Sequence, residues 1–305
     1  MRTASVVVAS NRAAALLHAC VASLAAQCRT ARAELIVARA GALTPDDEVR
    51  LVDQGVRLLV SHDGATVPEL RGLGMQAASG DLVAVTEDHC VAADGWLQAL
   101  RVAAGEDADV IGGGMDNAQR ARAVDWGAFF SEYGFFSSGR EGRAPRTAER
   151  PARGGAPLLL TGANVAYARS VADTVASWAA AGEWENVAHQ RLAAEGRVMR
   201  FAPDAVILQN KSYNFGPFCV DRYEHGLDYA RTRLVIEGPR RRWVLLAVTP
   251  LLPFLLTLRV ARAAAHGRWG TFARALPATL AFLGAWAAGE AAGYIAGPTK
   301  TPQTP

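Results

Sequence analysis

Asp81-Leu82-Val83-Ala84-Val85-Thr86-Glu87-Asp88-His89-Cys90 is the stretch on which the reading of the chain turns. Its four apolar or small residues in a row, two of them β-branched Val, predict a short strand buried on both faces. Gly80 breaks the helical pattern that precedes it. The run then stops at two acids and an imidazole side by side, Glu87-Asp88-His89. Ligands of open α/β sheets sit outside the carboxyl ends of the strands. Three oxygen and nitrogen donors at such an end stand where a divalent cation and a phosphorylated substrate can meet. The plain alternative is a strand-to-loop cap of solvated acids, because most acids are exposed.

A chain of 305 residues accommodates one α/β domain of roughly 200–250 residues plus an appendage. The net charge of +3 leaves no nucleic-acid footprint. Cys20, Cys28, Cys90 and Cys219 show no Cys-x-x-Cys spacing, so neither a zinc site nor a disulfide framework is expected. A reduced, cytosolic setting follows. The chain enters a strand almost at once, and no signal peptide is expected before it.

Around the central run the pattern alternates strand and helix. Ala4–Ser10 reads as a first buried strand, and Asn11-Arg12 opens a helix with Asn11 as its N-cap. Glu34–Val37 is a second strand, continued by Ala38-Arg39-Ala40-Gly41, and Val56–Val60 a third. Pro68–Ala78 is a helix carrying Arg71. Val110–Gly114 is a short strand ending in flexible glycines. Trp126, Phe129, Phe130, Tyr133, Phe135 and Phe136 form an aromatic cluster, suited to an acceptor or a lipid, or to ordinary helix packing. Ser137–Gly155, rich in Arg and Gly, reads as a mobile loop. Later come a core strand beside Gly162 and Asn164, an acidic helix start at Glu183 and Glu185, a strand over Phe201–Leu208, and a polar helix with Arg222 and His225.

Three of these segments, in this order, resemble family 2 glycosyltransferases of the GT-A fold. They are Ala78-Ser79-Gly80-Asp81 with its strand and acidic cluster, Gly162-Ala163-Asn164-Val165-Ala166, and Glu183-Trp184-Glu185 running to Arg191-Leu192 and Gly196. The likeness extends over about residues 4 to 235. It implies an α/β, Rossmann-like, mixed and mostly parallel sheet flanked by helices. It also implies inverting transfer of a sugar from a nucleotide-sugar donor to a hydroxyl. Ser10, Asn11, Arg71, Glu87 and Asp88 would then hold the donor, with Asp88 and His89 on Mn2+ or Mg2+. Gly162 and Asn164 would line the acceptor side, and Arg222 and His225 would meet diphosphate or acceptor. Glu185 falls on the catalytic base, with Glu183 as its rival. Arg39 stands where the family has an acid that holds the nucleotide base, so it is expected to meet a phosphate or a carbonyl edge instead. That departure, with His89 and Trp184, leaves a non-catalytic nucleotide-sugar or glycan scaffold as an alternative. A nucleotidyltransferase is a second, although Ala9-Ser10-Asn11-Arg12 is unlike its phosphate loop.

The C-terminal part is different in kind. Trp243–Leu258 carries no charge, nor does Ala275–Gly289, and Arg240–Arg242 precede the first run while Arg259, Arg262, Arg268 and Arg274 separate the two. Both runs are short for a straight span, which needs about 20 apolar residues. Arg clusters on both flanks favour a re-entrant hairpin or interfacial helices on the cytoplasmic face of a membrane. The expected organisation is a catalytic domain over 1–235, a membrane-associated apolar helical hairpin over 236–298, touching the membrane through 243–297, and a disordered tail at 299–305. A lipid or lipid-linked glycan acceptor follows from that tail alone.

Overall fold

The computed structural model describes residues 2–137, 160–264 and 268–298. In chain order the elements are β1 (Ala4–Ser10), α1 (Ala14–Ala31), β2 (Glu34–Ala40), α2 (Pro45–Asp53), β3 (Val56–Ser61), α3 (Val67–Ala77), β4 (Leu82–Glu87), β5 (Cys90–Ala92) and α4 (Trp96–Ala104). There follow β6 (Val110–Asn117), α5 (Ala123–Tyr133), β7 (Asn164–Ala168), α6 (Arg169–Ala180), α7 (Glu185–Ala194) and β8 (Met199–Gln209). The last four helices are α8 (Phe215–Glu237), α9 (Arg242–Val248), α10 (Leu252–Ala264) and α11 (Trp269–Ala296). The chain divides into two compact units: Met1–Ala118 with Arg140–Lys211, and Gln119–Gly139 with Ser212–Pro305. The boundary expected at 235 falls near the end of α8, inside the second unit.

Among the described residues the first unit holds one eight-stranded sheet in the order β3-β2-β1-β4-β7-β6-β8-β5. β1 pairs in parallel with β2 and β4, and β2 with β3; β7 then runs antiparallel between β4 and β6. The parallel half is built from β-branched runs because helices cover both of its faces. Val6, Val7 and Val8 of β1 and Leu82 to Val85 of β4 are fully buried. Carboxyl ends of β2, β1 and β4 therefore lie side by side, with Arg39 opposite Ser10 and Ala9 opposite Glu87.

Three local features position the site. α3 starts on a full capping box between Thr66 and Glu69, with Pro68 in the first turn. Within it a Cβ on Gly72 would overlap the Ala180 backbone of α6, and one on Gly74 would overlap Val7 of β1. Those two glycines let α3 settle between the sheet and α6, and Arg71, which lies between them and the helix start, is driven inside. The expected N-cap of α1 is different: Ala13 takes that place, and Asn11 stays exposed in a turn that runs two residues longer. Finally, β6 does not end at its glycines. It continues to Asn117, because Gly112 and Gly113 make room for Leu160 and Asn164 against the strand.

The second unit is helical. α8 and α11 lie so close that a Cβ on Gly226, Gly289 or Gly293 would strike the facing backbone. Trp126, Phe129 and Phe130 of the aromatic cluster are buried in ordinary packing, with Phe130 edge-on to Phe272 at 5.3 Å, while Tyr133, Phe135 and Phe136 are half-buried. The run Arg242–Arg262 is 21 residues long and contains an 18-residue window with a mean hydropathy of 2.0, long and apolar enough by length and composition to cross a membrane. Trp243, Leu251, Phe254 and Leu258 on it are exposed. α11, the second arm of the expected hairpin, buries Phe272, Phe282, Leu283 and Tyr294 instead. The expected Ser137–Gly155 loop lies, but for Ser137, outside the described residues.

Candidate active site

At the end of β4 the backbone turns at once, and its three polar side chains go three ways. Glu87, 13 % exposed, receives Arg71 Nη2 at 2.5 Å. Asp88 is 1 % exposed and turns back under β1, where its Oδ2 accepts from Ser10 Oγ at 2.9 Å and from the Arg12 N–H at 2.8 Å. Burial pushes the Asp88 carboxyl up, but hydrogen bonds from His89, Arg12 and Ser10 outweigh it and hold the group below the usual carboxylate range. His89 is buried, with Nδ1 3.5 Å from Glu87 Oε2 and 3.8 Å from Asp88 Oδ1.

Arg71 is the hub. Its other terminal nitrogen, Nη1, donates to Glu185 Oε2 at 2.7 Å, so one buried guanidinium joins the tip of β4 to the first turn of α7. Burial opposes the charge on Arg71, but Glu185 and Glu87 together hold it protonated more firmly than usual. Glu185 has a second partner: its Oε1 accepts from the Gly162 N–H at 3.1 Å. A Cβ on Gly162 would overlap the Arg71 guanidinium, which is the physical requirement for glycine there. Burial raises the Glu185 carboxyl, yet Arg71, the α7 backbone, His189 and the Gly162 N–H carry it below the ordinary glutamate value. Glu185 is thus a carboxylate held ionised in a mostly enclosed place. Glu183 borders the same small pocket but pairs with Arg191 at 2.9 Å. Its pKa is raised by burial, against the pull of Arg191.

Other expected site residues are placed differently. Ser10 is fully buried, its hydroxyl shared between Asp88 and Arg39 Nη1, the latter at 2.7 Å. Asn164, expected on the acceptor side, is consumed internally. Its Oδ1 accepts from Trp96 Nε1 and its Nδ2 donates to the Gly114 and Ala205 carbonyls, each at 2.8 Å. At zero exposure it ties β7 to β6 and β8 and offers nothing to a ligand. Arg71, expected on diphosphate, spends both terminal nitrogens on carboxylates. Arg222 and His225 belong to the second unit, where Arg222 is buried over the Trp286 ring at 4.3 Å, 3.4 Å from Glu132, and His225 is exposed. Sequence reasoning missed His189, buried beneath the cluster with Nε2 2.9 Å from Tyr167 Oη. Burial lowers its pKa to about 4, against the pull of Glu185. The available signal was its spacing of four from Glu185, which puts both on one helical face.

The model of glycosyl transferase family 2 matches residues 5–175, more than half of the chain. The chain belongs to that family. A search of curated proteins finds no match. Among solved structures, the chain is similar to a mannosyltransferase from Pyrobaculum calidifontis in complex with GDP-Man and Mn2+. The identity is 15 %, over 95 % of this chain and 87 % of that one, with a TM-score of 0.56. It is also similar to GalNAc-T7 with UDP, GalNAc and Mn2+, at 14 % identity over 70 % of this chain and 44 % of that one, with a TM-score of 0.51. The fold is GT-A, and this family 2 member is a glycosyltransferase.

Whether the strand end suits a divalent ion is a matter of donor chemistry. Among the described residues, no three ligating side chains form a group able to hold a metal ion by themselves. Two donors bound side by side to one small ion stand about 3 Å apart, given metal–ligand distances near 2.1 Å. His89 Nδ1 lies 3.5 Å from Glu87 Oε2, close to that spacing, and Asp88 Oδ1 flanks them. The residues fit a half-site that diphosphate oxygens would complete.

Proposed function

We propose that this family 2 glycosyltransferase moves a hexose from a nucleoside-diphosphate donor to a hydroxyl, with inversion, using Glu185 as general base. The observation that carries the reading is the Glu87–Arg71–Glu185 chain. It joins the acidic strand end, where phosphates would gather, to a carboxylate kept ionised. Arg71 holds one Glu185 oxygen and the Gly162 N–H the other, and a carboxylate oxygen has a further lone pair to take a proton. The acceptor hydroxyl gives that proton to Glu185 as its oxygen bonds to the anomeric carbon. On the opposite face the bond from that carbon to the diphosphate oxygen breaks, and the nucleoside diphosphate leaves with the electron pair. Inversion follows from the opposed faces.

His89, with Glu87 and Asp88 beside it, would hold Mn2+ or Mg2+; when bound, the ion supplies positive charge to the departing diphosphate. The Mn2+ in both similar structures supports that reading. Glu183 remains the second candidate base, and Gly162 keeps its acceptor-side place through its backbone.

The test is a thermal-shift screen of nucleotide sugars with and without Mn2+, followed by the anomeric configuration of the product. At a hundredfold excess over Kd, a true donor stabilises by about 2.7 kcal/mol, a shift on the order of 5 °C. A metal-dependent shift for one donor class, and a product of opposite configuration, are expected. Retained configuration, or no response to any nucleotide sugar, would overturn the reading. Binding without turnover or donor hydrolysis would return the chain to a non-catalytic scaffold.

We further propose that residues 243–297 attach the enzyme to the cytoplasmic face of a membrane, which suits a lipid or lipid-linked glycan acceptor. Support comes from the exposed apolar run Arg242–Arg262 and the Arg residues at both of its ends. Membranes from expressing cells are expected to retain the protein after high salt, and after alkaline carbonate if the run is inserted. Full release by salt would reduce the attachment to charge alone.

A further inference from the structure

Arg39 leaves β2 at its carboxyl end, directly opposite Ser10 of β1, whose chain neighbour Ala9 is paired with Glu87 of β4. Its guanidinium bends across the β1 end and is anchored by one nitrogen. Nη1 donates to Ser10 Oγ at 2.7 Å and to the Arg12 carbonyl at 2.9 Å. Among the described residues Nε, which is buried, has no hydrogen-bond partner, and the bonds Arg39 makes are from Nη1 and not Nη2. A buried N–H left without an acceptor carries its full desolvation penalty, so such a group calls for an explanation. Here the unpartnered side of the guanidinium is its Nε/Nη2 fork, two parallel N–H donors that match two adjacent acceptors.

The position indicates what those acceptors belong to. Neighbouring strands are about 4.8 Å apart, so β2 lies about 10 Å from β4 along the carboxyl edge. A diphosphate gathered at Glu87 and His89 would leave its nucleoside at roughly that distance. Among the four common bases, guanine offers adjacent acceptors at O6 and N7, and cytosine at O2 and N3. Uracil separates its carbonyls by an N–H, and adenine sets an amino group beside each of its ring acceptors on that side. Resting on the nucleotide-sugar reading above, we propose that Arg39 reads the donor base through its Nε/Nη2 fork and selects guanine or cytosine nucleotides over uracil and adenine nucleotides.

The experiment is calorimetric titration of GDP, CDP, UDP and ADP, each with Mn2+, into the full chain and into Arg39→Asp and Arg39→Lys. Wild type is expected to bind GDP or CDP at least about tenfold more tightly than UDP and ADP, the scale of one bidentate base contact. Whichever of the two wins identifies the base. Arg39→Lys, which has no fork, should lose most of that preference, and Arg39→Asp should turn toward UDP, whose N3–H it can accept. A wild-type preference for UDP or ADP overturns the inference without the variants having to fold. An equal loss of affinity for all four nucleotides in folded Arg39→Asp also overturns it, because Arg39 would then be a phosphate contact. Failure of wild type to bind any nucleoside diphosphate overturns the donor reading and this inference together, a result distinct from binding with the wrong preference.

Discussion

Replacing Glu185 with Gln is expected to lower kcat by about 10²–10⁴-fold while the Kd for the donor stays within about twofold, because a general base acts in the transition state and not in donor binding. The substitution is nearly isosteric. Its amide oxygen can still accept from Arg71 or from the Gly162 N–H, so the first turn of α7 should keep its place. What is lost is the carboxylate's charge and basicity, without which the acceptor's proton is not taken up. Rapid-quench turnover beside equilibrium donor titration separates the two quantities. A Glu185→Gln enzyme within tenfold of wild type would end the assignment. Glu183→Gln is the companion measurement. Its carboxylate is paired with the half-exposed Arg191 and its pKa lies above the ordinary value, so the loss should stay within about threefold. A reversal of the two results would make Glu183 the base.

Arg71→Met has the second large effect, and it has a sign that pH reveals. Removing one partner of a buried ion pair costs about 3–5 kcal/mol because the other charge is left without compensation. Here two carboxylates, Glu87 and Glu185, are left together. In wild type the folded-state pKa of Glu185 is depressed. Its contribution to stability is therefore present above the unfolded pKa and is lost as pH falls through the folded value. Without Arg71, burial and the neighbouring acid raise that pKa above the unfolded value. The sign then reverses: stability is greatest at low pH and is lost as pH rises. Thermal unfolding from pH 4 to pH 8 should show the gap between wild type and Arg71→Met narrowing toward the acid end. The acid limb of kcat/KM should move to higher pH in the same variant. A gap independent of pH would remove Arg71 from its electrostatic role. Arg71→Lys guards against simple misfolding. It keeps the charge but cannot reach both acids with a planar fork, and should retain most of the stability and only part of the rate.

Local rules carried much of the fold. The Val-rich run of β1 and the apolar segment of β4 read as buried parallel strands because β-branched side chains suit a sheet covered on both faces. Pro68 marked the start of α3 to within a residue, and the structure adds the Thr66–Glu69 box before it. The acids at the end of β4 were legible as a candidate site because ligands of open α/β sheets sit outside the carboxyl ends of the strands.

Asn164 shows the limit. Its amide has the donors and acceptors a ligand site needs, and only the packing of β6, β7 and β8 reveals that all are taken by Trp96, Gly114 and Ala205. His189 shows the converse: a residue without a motif comes to lie under Glu185 once α7 is wound. By itself, then, the order of residues determined the family, most of the strands and which side chains carry charge near the edge of the sheet, since each of these depends on neighbours a few positions away. Only the tertiary structure decided which charges meet. Arg71, Glu87 and Glu185 are separated by 16 and 114 positions. They come within hydrogen-bond reach because Gly72 and Gly74 let α3 sink toward β1, and a cation taken out of water there is held by both carboxylates.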